Sequence, residues 1–364
     1  MNINEKMKAS LILGSYLDTL GFFNGKWEFN FNTDVYTINS AMFVQNEIVT
    51  QFFALGGYNI DLKALKLNAS DDTIMMIATK NACIKGGSLE DFMNEYLKIL
   101  PELEDEKRQS GYVTLTSLLT LKKTKNIDSI KYDRMMGGNG AAMRTSFIGL
   151  KYYKENMIDD LIEKSIDASR LTHNYPLGFL GGLVNALFTS YAIQNKPIID
   201  WCDSLLKLNE SGLIDKYMDT TDISENYQEN KDEFWDKWYQ YREKRLNKLD
   251  LEDILAINII DEMVNKDYSP QIFGKSVTNY SKWGSNGCDS VIIAYDALIL
   301  SKGSWDSLVF NAALHFGDND TTGTIAGAWY GAFYGFKEFD ENNIKKLEFY
   351  HKLKEISDKI IAIH

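Results

Sequence analysis

Gly317-Asp318-Asn319-Asp320-Thr321-Thr322, near the end of the chain, and Ser70-Asp71-Asp72-Thr73, in its first fifth, are the stretches on which the fold depends. An apolar run, residues 74–78, follows the earlier stretch, and a second run, residues 325–332, follows the later one. Asp, Asn, Ser and Thr are common where helices begin, because their side chains accept hydrogen bonds from the free amides of the first turn. Both stretches are therefore predicted to lie at helix N-termini.

The same two stretches offer the ligands that a divalent metal ion prefers. Mg²⁺ takes carboxylate, hydroxyl and water oxygens in a near-octahedral shell, and a pair of ions requires several carboxylates from different segments. A carboxylate at a helix N-terminus gains only about 1 kcal/mol, whereas four carboxylates crowded together repel one another unless a cation neutralises them. Two independent helix caps on opposite sides of the molecule would have the same spacing, so the sequence leaves both interpretations open.

Composition and charge limit the class of protein. The chain has 364 residues, of which 45% are hydrophobic and 13% aromatic, enough for a sizeable core. A formal net charge of −12 argues against nucleic acid or an anionic membrane surface as the main partner. The three cysteines, Cys83, Cys202 and Cys288, lack zinc or redox spacing, which indicates a reducing compartment. The polar N-terminus predicts neither a signal peptide nor a membrane span, and we expect a cytoplasmic monomer.

The chain is predicted to be all-α. It contains 4 prolines, and its apolar residues recur at helical spacing. No linker-like boundary appears, so residues 1–364 are predicted to form a single domain in which the two acidic stretches meet. Predicted helices are 157–169, one that begins at Pro176, one after the capping box Ser88-Leu89-Glu90-Asp91, one from Ser304 to about His315, one or two within 226–250, and 251–264, 291–300 and 343–361.

Glycine-containing segments mark places where the backbone is expected to approach a ligand. Gly137-Gly138-Asn139-Gly140 precedes a predicted helix at Ala141, an arrangement that can hold a phosphate, although a plain loop is equally compatible. A polar loop, 283–289, also ends where a helix begins. In a third segment Glu28 stands between aromatic residues, which would raise its affinity for a proton and suit it to acid or base chemistry.

Taken in order, these motifs resemble the ADP-ribosylglycohydrolase family, in the branch that acts on ADP-ribosylarginine. The resemblance covers nearly the whole chain, and the ordered set is far more specific than any single motif. It rests on Asp18-Thr19-Leu20-Gly21, Asn24-Gly25-Lys26-Trp27-Glu28-Phe29, Ser70-Asp71-Asp72-Thr73, Gly137-Gly138-Asn139-Gly140-Ala141-Ala142-Met143-Arg144, Thr172-His173-Asn174-Tyr175-Pro176, Ile293-Ala294-Tyr295-Asp296-Ala297 and Gly317-Asp318-Asn319-Asp320-Thr321-Thr322.

The resemblance implies an all-α single domain that binds two Mg²⁺ ions in a cleft and cleaves the N-glycosidic bond between ADP-ribose and a protein arginine. It further implies that 137–140 holds the diphosphate, that Tyr280 stacks on adenine, and that Glu28 belongs to a flap over the cleft. The metal ligands that it implies are Ser70, Asp71, Asp72, Asp318, Asp320 and Thr321, and the remaining ligand-facing residues are Ser285, Gly287, Asp289 and His173.

The expected chemistry assigns water activation to Asp71 or Asp72, with Glu28 as a further candidate for an acid or a gate. The expected partners are an arginine-modified protein as substrate and ADP-ribose as product. Two departures from close relatives, Cys288 in place of histidine and Phe316 in place of glycine, bear on the shape of the pocket. The resemblance places His173 against the nucleotide, but a lone histidine beside a proline turn more often has a structural role.

Three alternatives stay open on the sequence alone. The protein could bind ADP-ribose, or neutralise a toxin, without catalysis. It could hydrolyse another ADP-ribose linkage, such as serine-linked or O-acetyl-ADP-ribose. Setting the resemblance aside, the same carboxylates would serve a two-metal phosphoesterase.

Overall fold

The computed structural model describes residues 2–28, 38–247, 283–339 and 341–354. Its regular elements are helices, and in this part of the chain no strand is formed beyond one isolated bridge between Gly138 and Asn286. The helices are α1 Ile3–Phe22, α2 Ile38–Ala54, α3 Asp71–Lys85, α4 Leu89–Leu103, α5 Tyr112–Thr124, α6 Ser146–Lys151, α7 Ile158–Arg170, α8 Pro176–Ile193, α9 Trp201–Glu210, α10 Leu213–Met218, α11 Ser224–Asn230, α12 Asp232–Tyr241, α13 Gly287–Ser301, α14 Trp305–Ala313, α15 Asn319–Tyr334 and α16 Glu341–Ile344.

The local signals for helix ends are confirmed. Ser88 and Asp91 form the predicted capping box ahead of α4, and Pro176 occupies the first turn of α8. Ser304 caps α14, since its hydroxyl accepts the amide of Ser307. The described part of the segment 226–250 contains most of α11 and all of α12, followed by a π-helical turn at 242–246, and its inner stripe is aromatic and buried as expected. Short-range hydrogen bonds determine these boundaries, which is why they can be read without tertiary information.

The prediction of one helix over 343–361 is wrong within the described residues. α16 ends at Ile344, turns occupy 345–349, and helical structure resumes at Tyr350. The break contains Glu348, whose carboxylate accepts two hydrogen bonds of 2.8 Å from Arg108 and one of 3.0 Å from the amide of Ala69. This long-range ion pair leaves no signal in local sequence. The predicted helix 251–264 lies outside the described residues.

Helix α8 forms the centre of the core. Its 18 residues are long and apolar enough to cross a membrane, yet the whole segment is buried inside the protein. A single such helix is weak evidence for a span, since core helices of soluble proteins meet the same criteria. Four large rings pack around Phe188 of α8 at centroid distances of 5.1–5.6 Å, namely Trp201, Trp238, Tyr295 and Trp329.

Helices α1 and α15 run antiparallel in very close contact. A Cβ atom at Gly327 would lie 2.5 Å from the carbonyl oxygen of Leu13, and one at Gly331 would lie 2.4 Å from the carbonyl carbon of Ala9. Real Cβ atoms do not approach backbone this closely, so only glycine permits the two helix axes to come together here. The contact aligns the start of α15, which carries Asp320, with the C-terminal half of α1.

Gly327→Ala should therefore destabilise the protein by about 1–3 kcal/mol, the usual cost of overpacking a rigid core. Equilibrium unfolding in urea measures the change. Gly111→Ala is the matched control, because its backbone φ is −59° and an added Cβ would meet no atom closer than 4.0 Å. Equal stability of the two variants would contradict the close packing described here.

Candidate active site

The two acidic stretches begin helices that meet at one cleft. Ser70 caps α3 by accepting the amide of Asp72 at 3.1 Å, and Asp318 caps α15 by accepting the amide of Thr321 at 3.4 Å. The cleft has a volume of about 240 Å³. Two independent caps on opposite faces are thereby excluded. The described residues that line it are Glu28, Asp71, Asp72, Gln109, Gly111, Tyr112, Val113, Thr114, Gly138, Asn139, Gly140, Met143, His173, Ser285, Asp318, Asp320 and Thr321.

Burial and mutual repulsion make these carboxyl groups hold their protons. Burial and the charges of Asp320 and Asp18 raise the pKa of Asp71 to about 8. Burial and the neighbouring carboxylates also raise the pKa of Asp72, Asp320 and Glu28 well above the ordinary range. Within the described ranges, no lysine or arginine lines the cleft to offset this charge. A bound cation would supply the missing positive charge.

The geometry fits a hard divalent cation. One carboxylate oxygen each from Glu28, Asp318 and Asp320 lies within 4.8 Å of the others. Oε2 of Glu28 and Oδ2 of Asp72 are buried and have no hydrogen-bond partner among the described residues. Because an unpaired buried carboxylate oxygen is costly, both atoms are suited to accept a metal ion. The donor set consists of carboxylate and hydroxyl oxygens, which favours Mg²⁺ over softer metals.

Asp18 of α1 is a site residue to which the sequence analysis gave no role. Its carboxylate accepts hydrogen bonds from the hydroxyl of Ser70 at 2.6 Å and from the amides of Ser70 and Thr73 at 3.2 Å. Burial and the charge of Asp320 raise its pKa to about 7, while the bonds from Ser70 and Thr73 oppose that rise. Asp18 thus holds the first turn of α3 in place. The available signal was a single carboxylate within the largely apolar stretch 11–23.

The glycine loop faces the acidic helices across the cleft. Gly138, Asn139 and Gly140 line the cleft, and the side-chain amide Nδ2 of Asn139 donates a hydrogen bond to Oδ2 of Asp318 at 2.9 Å. Gly137 is turned away, and its carbonyl accepts the amide of Gly287 at 3.1 Å. The helix expected after this loop is a three-residue 3₁₀ turn, Ala142–Arg144, so the prediction of an α-helix N-terminus here was wrong. Two of the four backbone amides of the loop already donate hydrogen bonds to carbonyl oxygens, that of Gly137 to Arg134 at 3.3 Å and that of Asn139 to Ser285 at 3.1 Å.

The polar loop 283–289, called the second loop below, places one of its three predicted ligand-facing residues in the cleft. Ser285 lines the cleft, whereas Gly287 and Asp289 lie behind it at the start of α13. Asp289 is fully buried in an ion pair of 3.1 Å with Lys237 of α12, and it also accepts a hydrogen bond from Asn286. The structure thus gives Asp289 a supporting position. Tyr280, predicted to stack on adenine, lies outside the described residues.

Two substitutions that bear on the pocket are accounted for by packing. Phe316 is buried and stacks on Trp283 with ring centroids 5.0 Å apart, so it packs beneath the cleft and does not narrow it. Cys288 is also buried, where its thiol faces the carbonyl of Phe234 at 3.8 Å. Neither side chain lines the cleft in the described structure.

One wall of the cleft had no sequence signal. It is formed by residues 109–114, which connect the 3₁₀ turn at 106–108 to the start of α5. Tyr112 of this segment is 81% exposed. Neither composition nor spacing distinguishes this segment from an ordinary surface turn. The wall residues are Gln109, Gly111, Tyr112, Val113 and Thr114.

Comparison with known proteins agrees with this site. The sequence model of the ADP-ribosylglycohydrolase family matches residues 2–364. The chain belongs to the ADP-ribosylglycohydrolase family. The resemblance seen in the motifs is thereby confirmed, and with it the assignment as a hydrolase of the ADP-ribosylhydrolase type.

Members of the ADP-ribosylglycohydrolase family differ in their similarity to this chain. ADP-ribosylhydrolase ARH1 of Dictyostelium discoideum is 35% identical over 371 residues, covering 95% of this chain and 91% of that protein. ADP-ribosylhydrolase ARH3 of Xenopus tropicalis is 24% identical, covering 82% of each. A solved structure titled "ADP-ribosylglycohydrolase-related protein complex" superposes with a TM-score of 0.57 at 16% identity, over 98% of this chain and 97% of that one. This likeness confirms the all-α fold.

The crowded carboxyl groups predict an unusual pH dependence of stability without metal. Because their pKa values are raised, the folded state retains protons that the unfolded chain releases above pH 4, so the unfolding free energy should fall as pH rises from about 4 to 8. Asp320→Asn should weaken this dependence and stabilise the metal-free protein at pH 8 by about 1–3 kcal/mol. Thermal unfolding after chelation measures both effects.

The exposed Asp236 of α12 provides the matched control, and Asp236→Asn should leave the pH profile unchanged. Saturating Mg²⁺ should raise the stability of the wild type more at pH 8 than at pH 4, because at pH 8 the cation displaces fewer protons from the carboxyl groups. A metal-free wild type that becomes more stable between pH 4 and 8 would show that the cleft carboxyls do not titrate as described.

Proposed function

We propose that this protein is a magnesium-dependent hydrolase that removes mono-ADP-ribose from arginine side chains by cleaving the N-glycosidic bond. The observation that supports it most directly is the cleft itself, where carboxylates from α3, α15 and Glu28 converge opposite a glycine loop. Such a cleft has one wall for metal and sugar and another for a diphosphate. Membership of the ADP-ribosylglycohydrolase family supports ADP-ribose as the group recognised.

The proposed metal ligands are those that the sequence analysis named. Five of them, Asp71, Asp72, Asp318, Asp320 and Thr321, line the cleft. The sixth, Ser70, donates its proton to Asp18 and accepts the amide of Asp72, which leaves one lone pair on its oxygen. Two Mg²⁺ ions, when bound, would orient the sugar hydroxyls and a water and stabilise the charge that develops. The position of Glu28 adds it to the candidates for metal contact.

The reaction joins water to the anomeric carbon of the distal ribose while the bond from that carbon to the guanidine nitrogen breaks. The water loses a proton to a carboxylate of the cleft, and the guanidine nitrogen takes up a proton as it leaves. The transition state has oxocarbenium character, so nearby negative charge stabilises it. We propose Asp71 or Asp72 as the proton acceptor, because both carboxyl groups line the cleft beside the other proposed metal ligands.

Three observations support arginine as the linked residue. The cleft is acidic, so it attracts the cationic guanidinium of a modified arginine. The motifs that begin at Asn24 and Tyr280 resemble the arginine branch rather than the serine branch. The chain is also more similar to the relative named ARH1 than to the relative named ARH3.

A direct assay tests the proposal. Purified protein with Mg²⁺ should release ADP-ribose from an ADP-ribosylarginine substrate, and EDTA should abolish release. Asp318→Asn should lower Mg²⁺ affinity by at least about tenfold, because it replaces a charged ligand with a neutral one. Titration calorimetry measures the affinity, and chromatography measures the release. Asp236→Asn should behave as the wild type.

The products distinguish the alternatives. Release only from serine-linked or O-acetyl-ADP-ribose would keep the enzyme class and reject arginine. Phosphate or AMP as the product would indicate a phosphoesterase. ADP-ribose binding without turnover on any of these substrates would identify a binding or toxin-neutralising protein and overturn the proposal.

Kinetics of two variants should separate proton transfer from metal binding. Asp71→Asn should lower kcat by about 10²–10⁴-fold even at saturating Mg²⁺, the range for loss of a general base, in addition to the lower Mg²⁺ affinity expected when a proposed ligand is removed. Glu28→Gln should lower Mg²⁺ affinity more than kcat at saturating Mg²⁺, since Glu28 lies beside Asp318 and Asp320. The opposite pattern would assign proton transfer to Glu28.

We also propose a reducing, cytoplasmic setting and a monomeric state. Cys83, Cys202 and Cys288 are buried free thiols, which supports the first of these. Mass photometry tests the monomeric state, and localisation of a tagged protein tests the cytoplasmic setting.

A further inference from the structure

Arg144 is a fully buried guanidinium just after the glycine loop. It donates hydrogen bonds to the carbonyls of Gly140 at 2.7 Å and Ala168 at 2.8 Å, and to the hydroxyl of Tyr96 at 3.2 Å. Its Nη2 also donates to the hydroxyl of Thr172 at 2.8 Å. No ion pair with a carboxylate is formed within the described residues. The guanidinium is thus held rigidly by neutral acceptors.

The hydrogen bond from Arg144 determines the direction of the bond between the hydroxyl of Thr172 and the ring of His173. A guanidinium can only donate, so the hydroxyl oxygen of Thr172 accepts from Arg144 and retains its own proton for another acceptor. The acceptor within reach is Nδ1 of His173, 2.8 Å away. If Nδ1 instead carried a proton, the buried hydroxyl would have no described acceptor, which is energetically costly. Nδ1 is therefore the accepting nitrogen.

The other ring nitrogen of His173 must then carry the proton, and it faces the glycine loop. A Cβ at Gly140 would lie 3.0 Å from Nε2 and 2.6 Å from Cε1, and a Cβ at Gly138 would lie 3.3 Å from Nε2. The ring lines the cleft beside these glycines, and Nε2 makes no hydrogen bond to the described residues. Its N–H is available to a ligand.

We propose that Arg144 and Thr172 are positioning residues that hold His173 as the neutral tautomer with its proton on Nε2, so that the ring donates a hydrogen bond to an anionic phosphate oxygen on the glycine side of the cleft. The phosphate as recipient rests on the proposed function, whereas the tautomer does not. Burial and the charge of Arg144 lower the pKa of His173 to about 3. The donor is thus uncharged throughout the neutral range, and it does not compete with the cleft carboxylates for their cation.

Nitrogen-15 NMR of the ligand-free protein tests the tautomer. Long-range proton–nitrogen correlations distinguish a protonated ring nitrogen from an unprotonated one, and His173→Gln identifies the signal of His173 among the 4 histidines. We expect an unprotonated Nδ1 and a protonated Nε2 from pH 5 to pH 8. A proton on Nδ1, or a charged ring in this range, would overturn the proposal.

A matched pair of variants tests the role of the hydroxyl. Thr172→Val removes the donor to Nδ1 at nearly constant volume, and Thr172→Ser keeps it. Thr172→Val should weaken ADP-ribose binding by about five- to tenfold, the usual effect of one hydrogen bond, and should allow the second tautomer to appear in the NMR spectrum. Thr172→Ser should restore both readouts. An unchanged tautomer and affinity in Thr172→Val would refute the proposal.

The assignment of the His173 tautomer and the hydrolase proposal can be rejected independently of each other. The spectrum is recorded without ligand or metal, so it is independent of substrate and turnover. If Thr172→Val does not fold, the wild-type spectrum still decides the tautomer, and Thr172→Ser still has to bind ADP-ribose as the wild type does. A confirmed tautomer with inactive protein would reject the hydrolase proposal alone.

Discussion

The close antiparallel contact between α1 and α15 is the constraint on which the rest of this structure depends. Glycines in α15, such as Gly327 and Gly331, remove the side chains that would otherwise separate the two backbones. Because packed helices move as rigid bodies, this contact sets where α15 begins relative to α1. It thereby brings Asp320, at the start of α15, close enough to Asp18 that their charges interact. The packing distance between α1 and α15 therefore determines whether these carboxyl groups lie close enough to form an acidic cleft.

The cleft that results is electrostatically unfavourable by itself. Five carboxyl groups from three segments line it without a compensating lysine or arginine in the described residues, and two of their oxygens have no hydrogen-bond partner. Proteins retain such arrangements mainly at sites where strain serves a function. Folding energy from the aromatic core around α8 offsets the repulsion, and a divalent cation would remove it. A divalent cation bound in the cleft would therefore also stabilise the fold.

The opposite wall of the cleft has hydrogen-bond donors that, in the proposed function, would face an anion, and it places no cation next to the proposed metal ligands. Buried charges stand behind the wall rather than in it. Lys237 pairs with Asp289 beneath the second loop, and Arg144 bonds carbonyl oxygens behind the glycine loop. His173 and residues 138–140 of the glycine loop line the cleft and are uncharged. This separation of charge keeps the acidic and the donor walls chemically distinct within about 240 Å³.

Local chemistry in the sequence determined the all-α class, most helix starts and the two acidic caps, because caps, proline positions and apolar periodicity act within one or two turns. Ordered motifs also identified the ADP-ribosylglycohydrolase family. Only the tertiary structure decided that the caps share a cleft, that Asp18 supports α3, that Asp289 lies behind its loop, and that the segment 109–114 forms a wall. Each of these depends on contacts between segments far apart in the chain. Local sequence patterns such as caps and apolar periodicity carry no information about which distant segments come into contact.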